Sequence, residues 1–411
     1  MADPSLNGKR ILHVLDRSIP NLSGYSIRSK YIVEFQKKIG FHPVVLTTPK
    51  YERIVQEQIN GVDYYRTSMG SQGLSGVVMK VPFLREQLMM RQVEKKITEL
   101  VRTEKVDIIH AHSPSLCGLP VLAAARRLNK PVVYEVRAFW EDAAVDRKRF
   151  AENSLKYKLS NRMEQKLFDQ ADAVVCICEG LRGEIAGRTK NTRLWVVPNG
   201  VDTSIFPPQE KSQKLIQKYN LQGKIVIGFI GSFFTFEGLA DLVQSIPLVI
   251  KEKENVVALI VGEGVEDQNL RDMSAKMGLE GNSVIFTGRV PHEEVKDYYS
   301  VMDVLVYPRI SKRITELVTP LKPLEAMAME KTVLVSDVGG LRELVSDGHN
   351  GFVFKAGDVN DLAEKLIYLG ANPEHCRNIG RQARKDMLSE RDWSVIVNEY
   401  NGVYESLIHK T

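Results

Sequence analysis

Residues 107–136 read DIIHAHSPSLCGLPVLAAARRLNKPVVYEV. A short apolar run rich in β-branched residues, Asp107–Ala111, is followed by a helical pattern and then by a second such run, Val132–Val136. Strand, helix, strand in that order is the unit of a parallel sheet covered on both faces. The alternation extends outward in both directions. Ile11–Leu15 is an apolar strand and Gly24–Ile39 reads as a helix. Pro43–Thr48, Val62–Tyr65, Ala173–Ile177 and Leu194–Val197 are further strands. The stretch Asn199–Gly223, with Pro207-Pro208, reads as a linker. The series then restarts with Lys224–Ile230, Val256–Val261, Val284–Thr287, Val304–Tyr307, Val333–Ser336 and Gly351–Phe354.

A chain of 411 residues exceeds one ordinary hydrophobic core, so two α/β domains are expected. We place them at 1–200 and 201–390, as two Rossmann-like doubly wound domains facing a cleft. Ligands bind beyond the strand C-termini of such sheets. The spacing of Trp393, Val395, Ile396, Tyr400, Val403, Tyr404 and Leu407 predicts one apolar-faced helix over Trp393–His409. Residues 391–411 are therefore expected to pack back on the first domain.

Composition narrows the class. Hydrophobic residues make up 43% and charged residues 26%, which fits a soluble globular protein. The four cysteines are scattered, and the close pair Cys176 and Cys178 lacks the second cluster a zinc site needs, so no metal is expected. The N-terminal MADPSLNGKR lacks the apolar run of a signal peptide, and no run of about 18 apolar residues occurs, which implies a cytoplasmic location. The net charge of +5 is uneven: residues 1–200 carry 32 Lys/Arg against 21 Asp/Glu, and the remainder 24 against 30. Cations gather at Lys80–Lys105, among Val81, Phe83, Leu84 and Leu88, and again at Arg147–Lys166. This asymmetry implies an anionic partner for the first domain, and peripheral contact with the inner face of a membrane is one reading. Nucleic acid is not expected, since no binding motif accompanies the charge.

Several chemistries are excluded by their motifs. The first strand leads into HVLDRSIPNLSGYS, which has no G-x-G-x-x-G, so no dinucleotide cofactor is expected. Walker A, G-x-S-x-G and H-E-x-x-H sequences are missing as well. What remains is a set of polar residues at strand ends. A turn at Pro20–Gly24 enters a helix at Gly24, where backbone N–H groups can meet a phosphate. His110 and His112 fall on the same side of one strand, with no third ligand suggested for a metal. Glu135, Arg137, Glu141 and Asp142 crowd the end of the next, beside Trp140, an apolar platform for a sugar ring. In the second half, Arg309, Lys312, Arg313 and Lys322 surround Thr319-Pro320-Leu321, read as a helix start, with Glu325 one turn inside. That density of cations suits a diphosphate, and a carboxylate there can accept from ribose hydroxyls.

Together the Ser23-Gly24 turn, DIIHAHSP, VVPNGVDTSIF, GFIGSFFTFEGL, IFTGRV and TPLKPLEAMAMEKTVLVSDVGGLREL resemble the GT4-type retaining glycosyltransferases over nearly the whole chain. YEVRAFWEDAAVD looks closest to the exosortase-associated subgroup, encoded with exopolysaccharide pathways. The resemblance implies a GT-B fold, a nucleotide diphosphate sugar as substrate held by the second domain, and no cofactor or required metal. It implies a glycan or lipid-linked acceptor at the first domain. Donor contacts then fall to Gly24, Gly231, Ser232, Arg309, Lys312, Arg313, Thr319, Pro320, Leu321, Lys322 and Glu325. Acceptor contacts fall to Trp140 and Glu141, with His112, Glu135 and Arg137 as catalytic residues. Relatives commonly carry an Arg/Lys pair where this chain has Ser232 and Glu237, and the first of two glutamates eight apart falls here on Leu317, next to Glu316. These departures keep two other readings open, a sugar nucleotide 2-epimerase and a non-catalytic partner in a polysaccharide complex.

Overall fold

The computed structural model describes residues 6–21, 23–49, 55–67, 82–146, 151–152 and 154–408. The chain forms two compact units, Met1–Pro198 with Trp393–Thr411, and Asn199–Asp392.

Unit 1 is built on an eight-stranded sheet. In chain order its strands are β1 (Arg10–Leu15), β2 (His42–Thr47), β3 (Val55–Ile59), β4 (Val62–Arg66), β5 (Ile108–His112), β6 (Val132–Val136), β7 (Ala173–Cys176) and β8 (Leu194–Val196). They lie in the order β3-β4-β2-β1-β5-β6-β7-β8. All neighbours are parallel except β3 and β4, which form an antiparallel hairpin. The turn of that hairpin is Asn60-Gly61, both with φ near +51° and +72°. Asn and Gly adopt this left-handed backbone at low cost, as a tight hairpin requires. β3 was missed in the sequence because VQEQI is polar, as suits an edge strand. Strands β1, β5 and β6 are buried along almost their whole length, which is why they read as continuous apolar runs.

The C-terminal segment belongs to unit 1, as two helices and not one. Trp393–Ile396 and Glu399–Ile408 are separate, Val395 is exposed, and Trp393, Tyr400, Val403, Tyr404 and Leu407 are buried. Trp393 stacks on Tyr31 of helix Gly24–Ile39 at 5.8 Å, so this segment covers the face of the sheet that helix lies on. The predicted position of His409 lies outside the described residues.

Unit 2 carries β9 (Ile225–Ile230), β10 (Val256–Val261), β11 (Val284–Gly288), β12 (Val304–Tyr307), β13 (Thr332–Ser336) and β14 (Phe352–Phe354). The sheet is wholly parallel in the order β11-β10-β9-β12-β13-β14. Chain direction across the sheet reverses between β9 and β12, a topological switch point. The stretch 199–223 is not a linker: it holds helix Gln213–Lys218 and buries Val201, Phe206, Leu215 and Leu221 in the unit 2 core. The Pro-Pro pair and polar spacing hid those four apolar anchors.

Candidate functional site

Unit 1 gathers its polar strand ends into one buried network. Glu135, on β6, is fully buried between two guanidinium groups. Its Oε1 accepts from Arg28 Nε at 3.1 Å and from Arg137 Nε at 3.0 Å, and its Oε2 accepts from the Tyr400 hydroxyl at 2.6 Å. Burial alone would raise this carboxyl, but Arg28 and Arg137 outweigh it and hold it well below the usual range. Arg28 also donates to the Pro198 and Val197 carbonyls, and Arg137 to the Tyr25 carbonyl and the Ser29 hydroxyl.

The histidine protons follow from the fact that an arginine can only donate. Arg137 Nη2 lies 2.7 Å from His112 Nδ1, so that nitrogen accepts and the proton sits on Nε2. His112 Nε2 then donates to His13 Nδ1 at 3.0 Å, and His13 Nε2 donates to Gln36 Oε1 at 2.8 Å. Gln36 Nε2 donates to the Tyr404 oxygen at 2.9 Å, and the Tyr404 hydroxyl donates to His110 Nδ1 at 2.9 Å. That leaves the His110 proton on Nε2, 3.4 Å from Glu135 Oε2. The chain of donors thus runs from Arg137 through His112, His13, Gln36 and Tyr404 to His110, whose Nε2–H faces Glu135 without making a hydrogen bond to it. Burial keeps the rings neutral, pushing His13 down to about 3 and lowering His110 and His112 too.

His13 is the third histidine the sequence reading lacked. It faces His110 in the β1–β5 register, and ligand atoms of His13, His110 and His112 lie within 4.8 Å of one another. The arrangement does not suit a divalent cation. Every ring nitrogen is committed to a proton or a hydrogen bond, and two guanidinium groups adjoin. Of the residues expected to be catalytic, His112 and Glu135 are fully buried and Arg137 is 7% exposed, and their hydrogen bonds in this structure are made within the buried network. Glu141, expected at the acceptor, is 1% exposed and turns inward to Asn161 and Arg188. Trp140 is half-buried at the head of helix Trp140–Asp146. Gly24 is exposed at the head of its helix, where Ser23 caps by accepting from the Ser26 N–H.

In unit 2 the loops after β9, β10, β12 and β13 meet at the C-terminal edge of the sheet. Their contact is close enough to exclude side chains. A Cβ on Gly262 would stand 1.8 Å from the Gly231 carbonyl, one on Gly238 the same distance from the Pro308 carbonyl, and one on Gly340 2.3 Å from that of Val318. Gly231 thus serves as a packing point, and Ser232 is exposed beside it. Across the switch point, Arg309 Nη2 and Nε donate to Glu237 Oε1 and Oε2 at 2.8 and 3.1 Å, a two-point pair. The Ile310 N–H donates to the Phe236 carbonyl at 3.1 Å and the Ser336 hydroxyl to the Arg309 carbonyl at 2.6 Å, so both loops are pinned.

Lys312 and Arg313 stand exposed beyond Arg309. The helix predicted from Thr319-Pro320 begins later, at Lys322–Ala328, with Pro323 in its first turn. Thr319 is buried, its carbonyl accepting from Asn199 Nδ2 at 2.9 Å, while Pro320 and Leu321 are half-buried. Lys322 Nζ donates to Glu325 Oε2 at 3.0 Å, and the buried Tyr299 hydroxyl donates to the same oxygen at 3.0 Å. Glu325 Oε1 has no partner among the described residues. Glu316 accepts from the Gly339 N–H at 2.7 Å and the Ser311 hydroxyl at 2.6 Å, tying the β12 loop to the β13 loop. A cavity of about 860 Å³ opens elsewhere, before β7 and β8, but its polar groups serve each other, Thr189 and Gln165 both donating to Asp169.

Known proteins share both units. The model "Glycosyltransferase Family 4" matches residues 24–205 and "Glycosyl transferases group 1" matches 211–386. The capsular polysaccharide biosynthesis glycosyltransferase CapM of Staphylococcus aureus is 26% identical over 77% of this chain and 81% of its own. Among solved structures, sucrose-phosphate synthase from Thermosynechococcus elongatus superposes with a TM-score of 0.78 at 19% identity, over 98% of this chain and all of that one. Anabaena Alr3699/HepE, in complex with UDP, does so with a TM-score of 0.74 at 17% identity, over 97% of this chain and all of that one.

Proposed function

We propose that this chain, which belongs to the GT4-type glycosyltransferases of GT-B fold, is a retaining enzyme whose unit 2 binds a nucleotide diphosphate sugar. The acceptor we assign is a glycan or lipid-linked sugar in exopolysaccharide synthesis, met by unit 1 at a membrane surface. CapM's part in capsular polysaccharide synthesis and the YEVRAFWEDAAVD segment support the pathway reading.

The observation that carries the donor assignment is the charge layout at the β9–β12 switch point. Arg309 is held in place by Glu237, Lys312 and Arg313 stand beyond it, and Lys322 lies beside Glu325. An Arg and a Lys fixed on this edge supply the positive charge that a leaving diphosphate needs, without a metal. Glu325 Oε1 is left to accept from a ribose hydroxyl. The bound UDP of the Anabaena relative is in keeping with such a ligand. In this reading the acceptor hydroxyl attacks on the face the diphosphate leaves, and its proton passes to a phosphate oxygen.

Because Lys322 is part exposed, Lys322→Ala is expected to leave thermal stability within about 0.5 kcal/mol. It is expected to weaken the tightest binder among UDP, GDP and ADP by about tenfold or more, since a charge-assisted contact is worth at least 1.4 kcal/mol. Calorimetric titration of the three nucleotides checks this. Unchanged affinity would remove Lys322 from the diphosphate site, and an inverted product anomer by NMR would overturn retention.

A further inference from the structure

We propose that the outward face of helix Leu155–Gln170 is a docking site for an anionic lipid surface. The roll of this helix is fixed by what it buries. Glu164, Leu167 and Phe168 point inward. Leu167 packs so tightly on helix Ser115–Leu128 that a Cβ on Gly118 would stand 2.6 Å from its Cδ2. Glu164 accepts from the Ser115 N–H at 3.0 Å and the Tyr134 hydroxyl at 2.7 Å. With that side locked, the opposite side must face out.

What faces out is unlike an ordinary solvated helix. Leu155 is 83% exposed and Leu159, one turn on, is 46% exposed. The other exposed residues from 155 to 166 are Lys156, Lys158, Arg162 and Lys166, with no acid among them. The nearest exposed acids in the chain are Glu152 before this run and Asp169 after it. Other large exposed apolar side chains, such as Val265 and Leu388, occur singly, as on most surfaces. Two leucines a turn apart inside a ring of four cations match a surface with anionic headgroups over an acyl layer, each part meeting its complement. Residues 1–200 carry an excess of 11 positive charges, which draws the same partner from a distance. Among the described residues no helix is long and apolar enough to cross a membrane, so contact would be in the interfacial plane.

The inference deepens the reading of a lipid-linked acceptor and rests on it for its purpose, yet its test needs neither donor nor acceptor. The full chain is sedimented with sucrose-loaded vesicles of phosphatidylcholine alone or with one third phosphatidylglycerol. Binding is expected only with phosphatidylglycerol. Leu155→Ser with Leu159→Ser, and separately Lys156→Glu with Lys158→Glu, should each weaken the partition about tenfold, while Val265→Ser leaves it unchanged. All replaced side chains are exposed, so equal melting temperatures and equal nucleotide affinity will show intact folds. No binding to phosphatidylglycerol vesicles, or equal binding by parent and variants, overturns the docking site and leaves the transferase reading standing.

Discussion

Each unit brings arginine and glutamate together at the C-terminal ends of parallel strands, yet the two arrangements behave differently. In unit 1, Arg28, Glu135 and Arg137 are buried, Arg28 lies against Trp393 of the C-terminal segment, and the last hydroxyls of the network come from Tyr400 and Tyr404. In unit 2, Arg309 and Glu237 are each slightly open to solvent, and Lys312 and Lys322 stand further out. A charge cluster at a strand end is therefore not in itself a ligand site. Whether later chain covers it decides that, and the cover here comes from residues more than 260 positions away from Glu135.

The sharpest way to break the contrast is to remove the sealed carboxylate. Glu135→Ala leaves two buried guanidinium groups facing each other and should cost unit 1 about 3–5 kcal/mol, read as a loss of its amide-exchange protection while unit 2 keeps its own. Retained protection would mean that the network contributes little to the fold.

Acid should separate the units next. The folded state holds His13 neutral down to about pH 3, whereas an unfolded histidine takes its proton near 6.5, so the unfolded chain binds more protons between those values. Stability that is full above about 6.5 is then lost as pH falls, at about 1.4 kcal/mol per pH unit for each such group. His110 and His112 shift the same way, the lowered Glu135 adds a loss of the same sign at more acid pH, and buried Glu164, raised to about 8, offsets only one of the three histidines as pH falls towards 4.5. Unit 1 protection measured from pH 7 to 4, corrected for intrinsic exchange, should therefore fall faster than that of unit 2. The smallest effect is expected at the open end: Lys312→Ala should move stability by less than about 0.5 kcal/mol and weaken nucleotide binding only a few-fold.

Parallel strands buried on both faces announce themselves as apolar runs, so β1, β6, β10 and β12 were legible almost to the residue. The polar edge strand β3 was not, although the Asn60-Gly61 pair is a strong hairpin signal that could have found it. His13 sits inside an apolar strand, HVL, and a histidine there was the available hint of the buried network. Its partners Arg28, Gln36 and Tyr404 lie on helices whose periodicity marks an inward face without saying what that face meets. The Arg309–Glu237 pair spans 72 positions and depends on strand order, which residue types alone do not encode. The late start of helix Lys322–Ala328 was obscured because Pro320 and Pro323 both suit a first turn.

The return of residues 393–408 to unit 1 also sets an order of assembly. Gln36 and Tyr404, partners in one hydrogen bond, are made 368 residues apart, with all of unit 2 between them. During synthesis unit 2 has every strand it needs while unit 1 still lacks Tyr400 and Tyr404, the hydroxyl partners of Glu135 and His110. The unit begun first is thus completed after unit 2, when Tyr400 and Tyr404 supply the hydroxyls of its buried network.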